Sequence, residues 1–180
     1  MKKLLLLTTL LLIISCQENE ETQTIKIKNQ YSLDIPTSMS LATNLNKDAS
    51  LQYQNVFDDL YLMVIDEPKQ ITNTFIKDNT DFTPNLDGYS QLIKSGLQTS
   101  VTNPIFSQIE RKQINGLKSN LISLSGKVEN YDIYYEFAHV EGKNHYYQVF
   151  VWTSLEKKDK LSAKMKKIIN SFKEIKSRGN

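Results

Sequence analysis

Few side chains in this 180-residue sequence are suited to acid–base or metal chemistry: two histidines, His139 and His145, and one cysteine, Cys16. The histidines flank Gly142-Lys143, which reads as a two-residue turn between strands. On that turn Val140 faces His145 and His139 faces Tyr146. The imidazoles then point to opposite sides of the sheet and do not share a metal ion. Neither histidine belongs to a His-Glu-x-x-His run, and no second cysteine completes a zinc site. No Gly-x-Ser-x-Gly elbow occurs, and Ser123-Leu124-Ser125-Gly126-Lys127 lacks the earlier glycine of a phosphate loop. The paired acids Asp58-Asp59 and Asp66-Glu67 fall at turns or strand ends, and Glu136 and Glu141 read as strand acids. The expectation is a protein with no catalytic residue, no metal and no cofactor.

The cysteine carries the clearest chemistry. Met1-Lys2-Lys3 precedes an apolar run from Leu4 to Ile14, broken only by Thr8 and Thr9. That run is too short to span a bilayer and has the form of an export signal. It ends in Ile13-Ile14-Ser15-Cys16, which resembles the lipobox of bacterial lipoproteins, with Ile14 where a smaller residue is commoner. The resemblance implies transfer of a diacylglyceryl group to the Cys16 sulfur, removal of residues 1–15, and a mature chain held to a membrane by its acylated N-terminus. Each buried acyl methylene contributes about 0.8 kcal/mol, so two or three chains anchor stably. A single cysteine also excludes an internal disulfide, leaving the core alone to hold the domain. Residues 16–24 contain three acids and no large apolar side chain, and are expected to be a flexible tether. Eight extended residues reach at most about 27 Å, which keeps the domain near its membrane. The polar-acidic stretch resembles the surface-export signal of some Gram-negative lipoproteins and equally reads as a solvated linker. The expected location is the cell envelope, on the outer membrane and open to display at the surface.

Residues 25–180 have the size of one domain. Asn115-Gly116, a type I′ turn pair, separates strand-like runs at Phe106–Ile114 and Leu117–Val128. Two further strands, Tyr131–Val140 and His145–Thr153, complete a four-stranded meander. The strand Tyr131–Val140 is apolar on both faces, with Ile133, Tyr135 and Phe137 on one and Tyr134, Ala138 and Val140 on the other, so helices must cover the sheet above and below. Leu161, Met165, Ile168, Ile169, Phe172 and Ile175 recur at helical spacing. A second helix is expected from about Asp87, taken as its cap, through Tyr89, Leu92, Ile93 and Leu97. A third follows Pro68 through Ile71 and Phe75. Short strands are expected at Thr24–Lys28, Tyr31–Ile35, Leu51–Phe57 and Leu60–Asp66. The fold class is α+β: a three-layer α/β/α sandwich around an antiparallel sheet.

Tyr31-Ser32-Leu33-Asp34-Ile35-Pro36 is similar to the opening of the Mog/PsbP-like family. Tyr147-Gln148-Val149-Phe150-Val151-Trp152-Thr153, followed by a helix and Ile169-Asn170-Ser171-Phe172-Lys173, is similar to its ending. The resemblance covers nearly the whole mature chain. It implies a PsbP-like fold and a habit of serving as a binding or accessory module, and it carries no catalytic residue onto this sequence.

Eight aromatic residues crowd into the strands at 131–152, more tyrosine than a dry core prefers, since each hydroxyl needs a partner. Tyr134, Tyr135, Tyr146, Tyr147 and Trp152 are the candidates to line a groove between sheet and helix. Charge is uneven: residues 155–180 carry nine basic and three acidic side chains, residues 16–154 eleven and seventeen. Attraction between the last helix and the acidic body competes with binding of phospholipid or other anions. An exported protein has no call for nucleic acid. The expected function is a lipid-anchored envelope module that binds a protein partner without catalysis; the alternative is a small apolar ligand held in the aromatic groove.

Overall fold

The computed structural model describes residues 20–27 and 29–175. The expected signal segment 1–15 and the expected lipidation residue Cys16 lie outside the described residues. Among the described residues no helix is long and apolar enough to cross a membrane.

The central layer is a wholly antiparallel sheet. Its strands, in chain order, are β3 (Ser40–Leu41), β4 (Leu51–Asn55), β5 (Leu60–Pro68), β6 (Thr102–Phe106), β7 (Glu110–Ile114), β8 (Leu117–Val128), β9 (Tyr131–Glu141) and β10 (His145–Ser154). They lie in the order β3-β4-β5-β10-β9-β8-β6, with β7 also pairing β8. The long strands β9 and β10 sit in the middle and bury both faces, as their two-sided apolar pattern requires. On one face α3 (Lys158–Asn170) lays Leu161, Met165, Ile168 and Ile169 over Val140, Tyr147, Val149 and Val151. On the other, α2 (Leu86–Ser100) sets Ile93 and Leu97 against Ile122, Phe137 and Phe150, and α1 (Lys69–Asn79) adds Ile76 beside Tyr89 and Tyr146. A second sheet, β1 (Thr22–Ile27), β2 (Tyr31–Pro36) and β11 (Lys173–Glu174), extends the α3 layer and buries Leu33 and Ile35 in the same core. The α+β sandwich with a central antiparallel sheet is the architecture that forms.

Four local expectations are corrected. First, β1 begins at Thr22, so Thr22–Thr24 are paired with Pro36–Asp34 rather than part of the tether. Gln23, Ile25 and Ile27 are partly covered while Thr22, Thr24 and Lys26 are exposed, the alternation of a half-covered strand. Second, the run Phe106–Ile114 breaks into two strands along β8. Ser107 replaces the ladder there, its Oγ accepting the Ser123 N–H at 2.9 Å while its own N–H donates to the Ser123 carbonyl. Third, α2 is capped by Asn85, whose Oδ1 accepts the Gly88 N–H at 3.0 Å. Asp87 sits in the first turn, where a carboxylate favours the helix dipole. Fourth, the β9–β10 turn is wider than two residues: Glu141 pairs with Tyr146, and the Gly142 N–H donates to the His145 carbonyl. This moves the register by two, an even number, so every side chain keeps the face assigned to it.

Candidate functional site

Three aromatic side chains form a row across adjacent strands. Trp152 of β10 lies opposite Tyr61 of β5 on one side and Tyr135 of β9 on the other. Tyr61 and Trp152 stack with ring centroids 5.4 Å apart and 17° between planes; Tyr135 and Trp152 are 5.7 Å apart and tilted by 38°. One step along the same face, Phe150 and Phe137 are buried under α2, but this row is only half-buried. It floors an open hollow of about 990 Å³ at one end of the sheet.

Two turns and the residues after β10 supply the rim. The β4–β5 turn contributes Asp59 and the β8–β9 turn Glu129, both in the left-handed region at φ 56° and 54°. Tyr131, Asp132 and Ile133 follow on β9, and Glu156 lies in a short 3₁₀ turn, Leu155–Lys157, after β10. Asp59 is fixed in place because its Oδ2 accepts the Ser154 N–H at 3.0 Å. Tyr61 is raised above the usual tyrosine range, first by burial and then by the Asp59 carboxylate beside it; burial alone raises Tyr135. Four carboxylates and no basic residue line the hollow, one of them, Asp132, pairing with Lys127 outside it at 3.6 Å. Aromatic faces ringed by carboxylates attract a cationic group through the ring quadrupole and Coulomb attraction together.

Of the five aromatic candidates, Tyr135 and Trp152 therefore come together in this hollow. The other three lie in the core. Tyr134 is on the α3 side, its hydroxyl donating to the Glu136 carboxylate under the Lys158 ammonium, which is 4.9 Å from the ring centroid. Tyr146 stacks on Tyr89 at 4.5 Å and donates to Asn73 Oδ1 at 3.1 Å. Tyr147 packs between Tyr31 and Phe172 and donates to Glu174 Oε1 at 3.3 Å. Their hydroxyls find the partners that burial demands. The sequence does not single out Tyr61, and Asp59 and Glu129 read there only as turn residues. Tyr61 joins Trp152 only through the pairing of β5 with β10, which no local pattern announces.

The histidines stay apart. His139 is fully buried between β9 and α2, with Nδ1 2.9 Å from Ser90 Oγ. Ser90 Oγ donates to the Leu86 carbonyl, and Asn120 Nδ2 donates both to Ser90 Oγ and to Asp87 Oδ1. Burial pushes His139 down to about 3, so it is a neutral core group. His145 is on the opposite face beside Tyr147. Among the described residues no group of three or more His, Cys, Asp or Glu side chains is placed to hold a metal ion.

These layers define a PsbP/Mog1-like α+β sandwich. No family model matches the sequence, and no curated protein matches it by sequence. Solved structures are similar in fold. Cyanobacterial PsbP from Synechocystis sp. PCC 6803 superposes with a TM-score of 0.62 at 13% identity, over 91% of this chain and 99% of that one. The Saccharomyces cerevisiae Ran-binding protein Mog1p gives 0.56 at 9% identity, over 87% and 97%. A Pseudomonas aeruginosa protein of unknown function gives 0.52 at 10%, over 88% and 99%. Identities this low speak for shared architecture.

Proposed function

We propose that this chain is a lipid-anchored protein of the cell envelope, on the outer membrane, and that its domain is a non-catalytic binding module. The Trp152 hollow receives a basic segment of a protein partner. The observation that carries this reading is the half-buried row Tyr61–Trp152–Tyr135 ringed by carboxylates with no basic residue among them. The Ile13-Ile14-Ser15-Cys16 run supports the anchor. The fold supports the binding role by analogy, since Mog1p is described as binding Ran. Intact-mass measurement of the isolated protein tests the anchor: acyl chains on Cys16 and loss of residues 1–15 are expected. Cross-linked pull-downs compare wild type, Cys16→Ala and Trp152→Ala. A discrete partner lost with Trp152→Ala, while circular dichroism shows an intact fold, supports the hollow; equal capture by both refutes it.

A second reading places a small apolar molecule on the same row. The size of the hollow favours it, falling within the range of drug-sized ligand sites. Native mass spectrometry of freshly purified protein would show the retained ligand.

A further inference from the structure

The end of the domain where the described chain begins carries an apolar tip and a lysine-rich helix, next to the hollow that borrows Asp59 from the same turn. β1 starts at Thr22 opposite Pro36, and the Thr37 N–H donates to the Glu21 carbonyl at 2.9 Å. Ser40 then pairs with Gln54, which leads into the β4–β5 turn Val56-Phe57-Asp58-Asp59. Phe57 is 99% exposed and Val56 63%. The bond from Ser154 to Asp59 sets the start of the α3 segment against the same turn. The beginning of β1, the apolar tip and the lead-in to α3 thus share one end of the molecule.

Between Glu156 and Lys167 there are six lysines against two acids, Glu156 and Asp159. Lys164 pairs with Glu20 at 2.9 Å, Lys166 with Glu136 at 3.4 Å, and Lys158 covers Tyr134. Lys157, Lys160 and Lys167 make no ion pair among the described residues. The acids of the tip are engaged locally: Asp58 Oδ2 accepts from Asn55 Nδ2 at 2.8 Å, and Asp59 from Ser154. The aromatic row around Trp152 lies on the other face of the sheet from α3, while Asp59 and Glu156 of its rim belong to the tip turn and the lead-in to α3. Cys16 precedes Glu20 by four residues, at most about 14 Å of chain.

We propose that this end of the domain rests on an anionic phospholipid bilayer, with Val56 and Phe57 in the headgroup layer and Lys157, Lys160 and Lys167 against lipid phosphates. The geometry rests on the lipid anchor proposed above: a span of about 14 Å to Glu20, which pairs with Lys164, keeps the α3 side of the domain near the surface. The charge of α3 then adds to the anchor, since each lysine near an anionic surface is attracted to it. The hollow opens beside the membrane, where its partner must also reside.

The test uses the full chain reconstituted in phosphatidylglycerol vesicles, with a fluorophore on Val56→Cys or, for comparison, on Asn144→Cys in the β9–β10 turn. Nitroxide-bearing lipid is expected to quench the label at 56 about threefold more than at 144. Lys157→Glu with Lys160→Glu and Lys167→Glu, or Phe57→Asp, should remove that difference while the protein still floats with the vesicles. Equal quenching at both positions in floating, acylated protein overturns the orientation and leaves the anchor standing. Protein recovered without acylation fails the anchor instead. The same comparison on it, added to the vesicles, still decides the face: preferential quenching at 56 supports it and equal quenching overturns it.

Discussion

His139 and Ser90 meet through a single 2.9 Å hydrogen bond in the sealed space between β9 and α2, where the other imidazole nitrogen, Nε2, has no protein partner. The ring must stay neutral there, because a buried imidazolium with one neutral partner is costly. Unfolded, the same histidine titrates near 6.5; folded, near 3. Between these values the unfolded state binds more protons, so stability is complete above about 6.5 and falls with decreasing pH, by about 1.4 kcal/mol per unit at most. Denaturant melts at pH 7.5 and pH 5.0 should show a loss of about 2 kcal/mol. In His139→Phe most of that difference should vanish, and an unchanged slope would show that other groups cause it.

Trp152 is the only tryptophan, so its emission reports on the hollow directly. Titration with an arginine-rich peptide should shift or quench it, and added salt should weaken the effect. Removing three exposed charges by Glu129→Gln, Asp132→Asn and Glu156→Gln should weaken binding about tenfold, at roughly 0.5 kcal/mol each. Unchanged affinity in that triple variant would rule out a cationic occupant.

Asn115 does more than turn the β7–β8 hairpin. With φ 48°, and Gly116 at 85°, it makes the type I′ corner, and its Nδ2 donates to the carbonyls of Phe172 at 2.7 Å and Asn170 at 3.1 Å. It therefore closes the C-terminal end of α3. Asn115→Ala should cost about 1–2 kcal/mol, seen as a lower melting temperature. Asn115→Asp should cost more, since it sets a carboxylate against a helix C-terminus.

Gly88 offers a choice between local propensity and packing. Within a helix, Gly→Ala ordinarily gains about 1 kcal/mol. Here a Cβ would collide with the Thr83 backbone carbonyl, so the loop before α2 would have to move. Gly88→Ala should destabilise by about 2 kcal/mol, and a rise in melting temperature would refute the close approach.

The strands and helices were largely legible because their signals are local. Asn115-Gly116, the two-faced apolar pattern of β9 and the stripe Leu161–Met165–Ile168–Ile169 each state their role within a dozen residues. What escaped depends on pairing between distant segments. Tyr61 reaches Trp152 only once β5 lies beside β10, and the hydroxyls of Tyr146 and Tyr147 are satisfied by Asn73 and Glu174, each far along the chain. An excess of tyrosine was visible; which of them would be left facing outward was not. The small sheet was hidden for the same reason, since β11 is two residues long and exists only by pairing with β2.

That pairing governs when the molecule can close. The Asp34 N–H donates to Ser171 Oγ, and Leu33 and Ile35 are covered by Ile168 and Phe172. This early hairpin is thus completed by a segment 137 residues further along the chain. Until α3 and β11 are in place, Leu33 and Ile35 lack the cover of Ile168 and Phe172, and the many long-range contacts make closure slow. Such a hairpin stays incomplete until that distant segment has joined it.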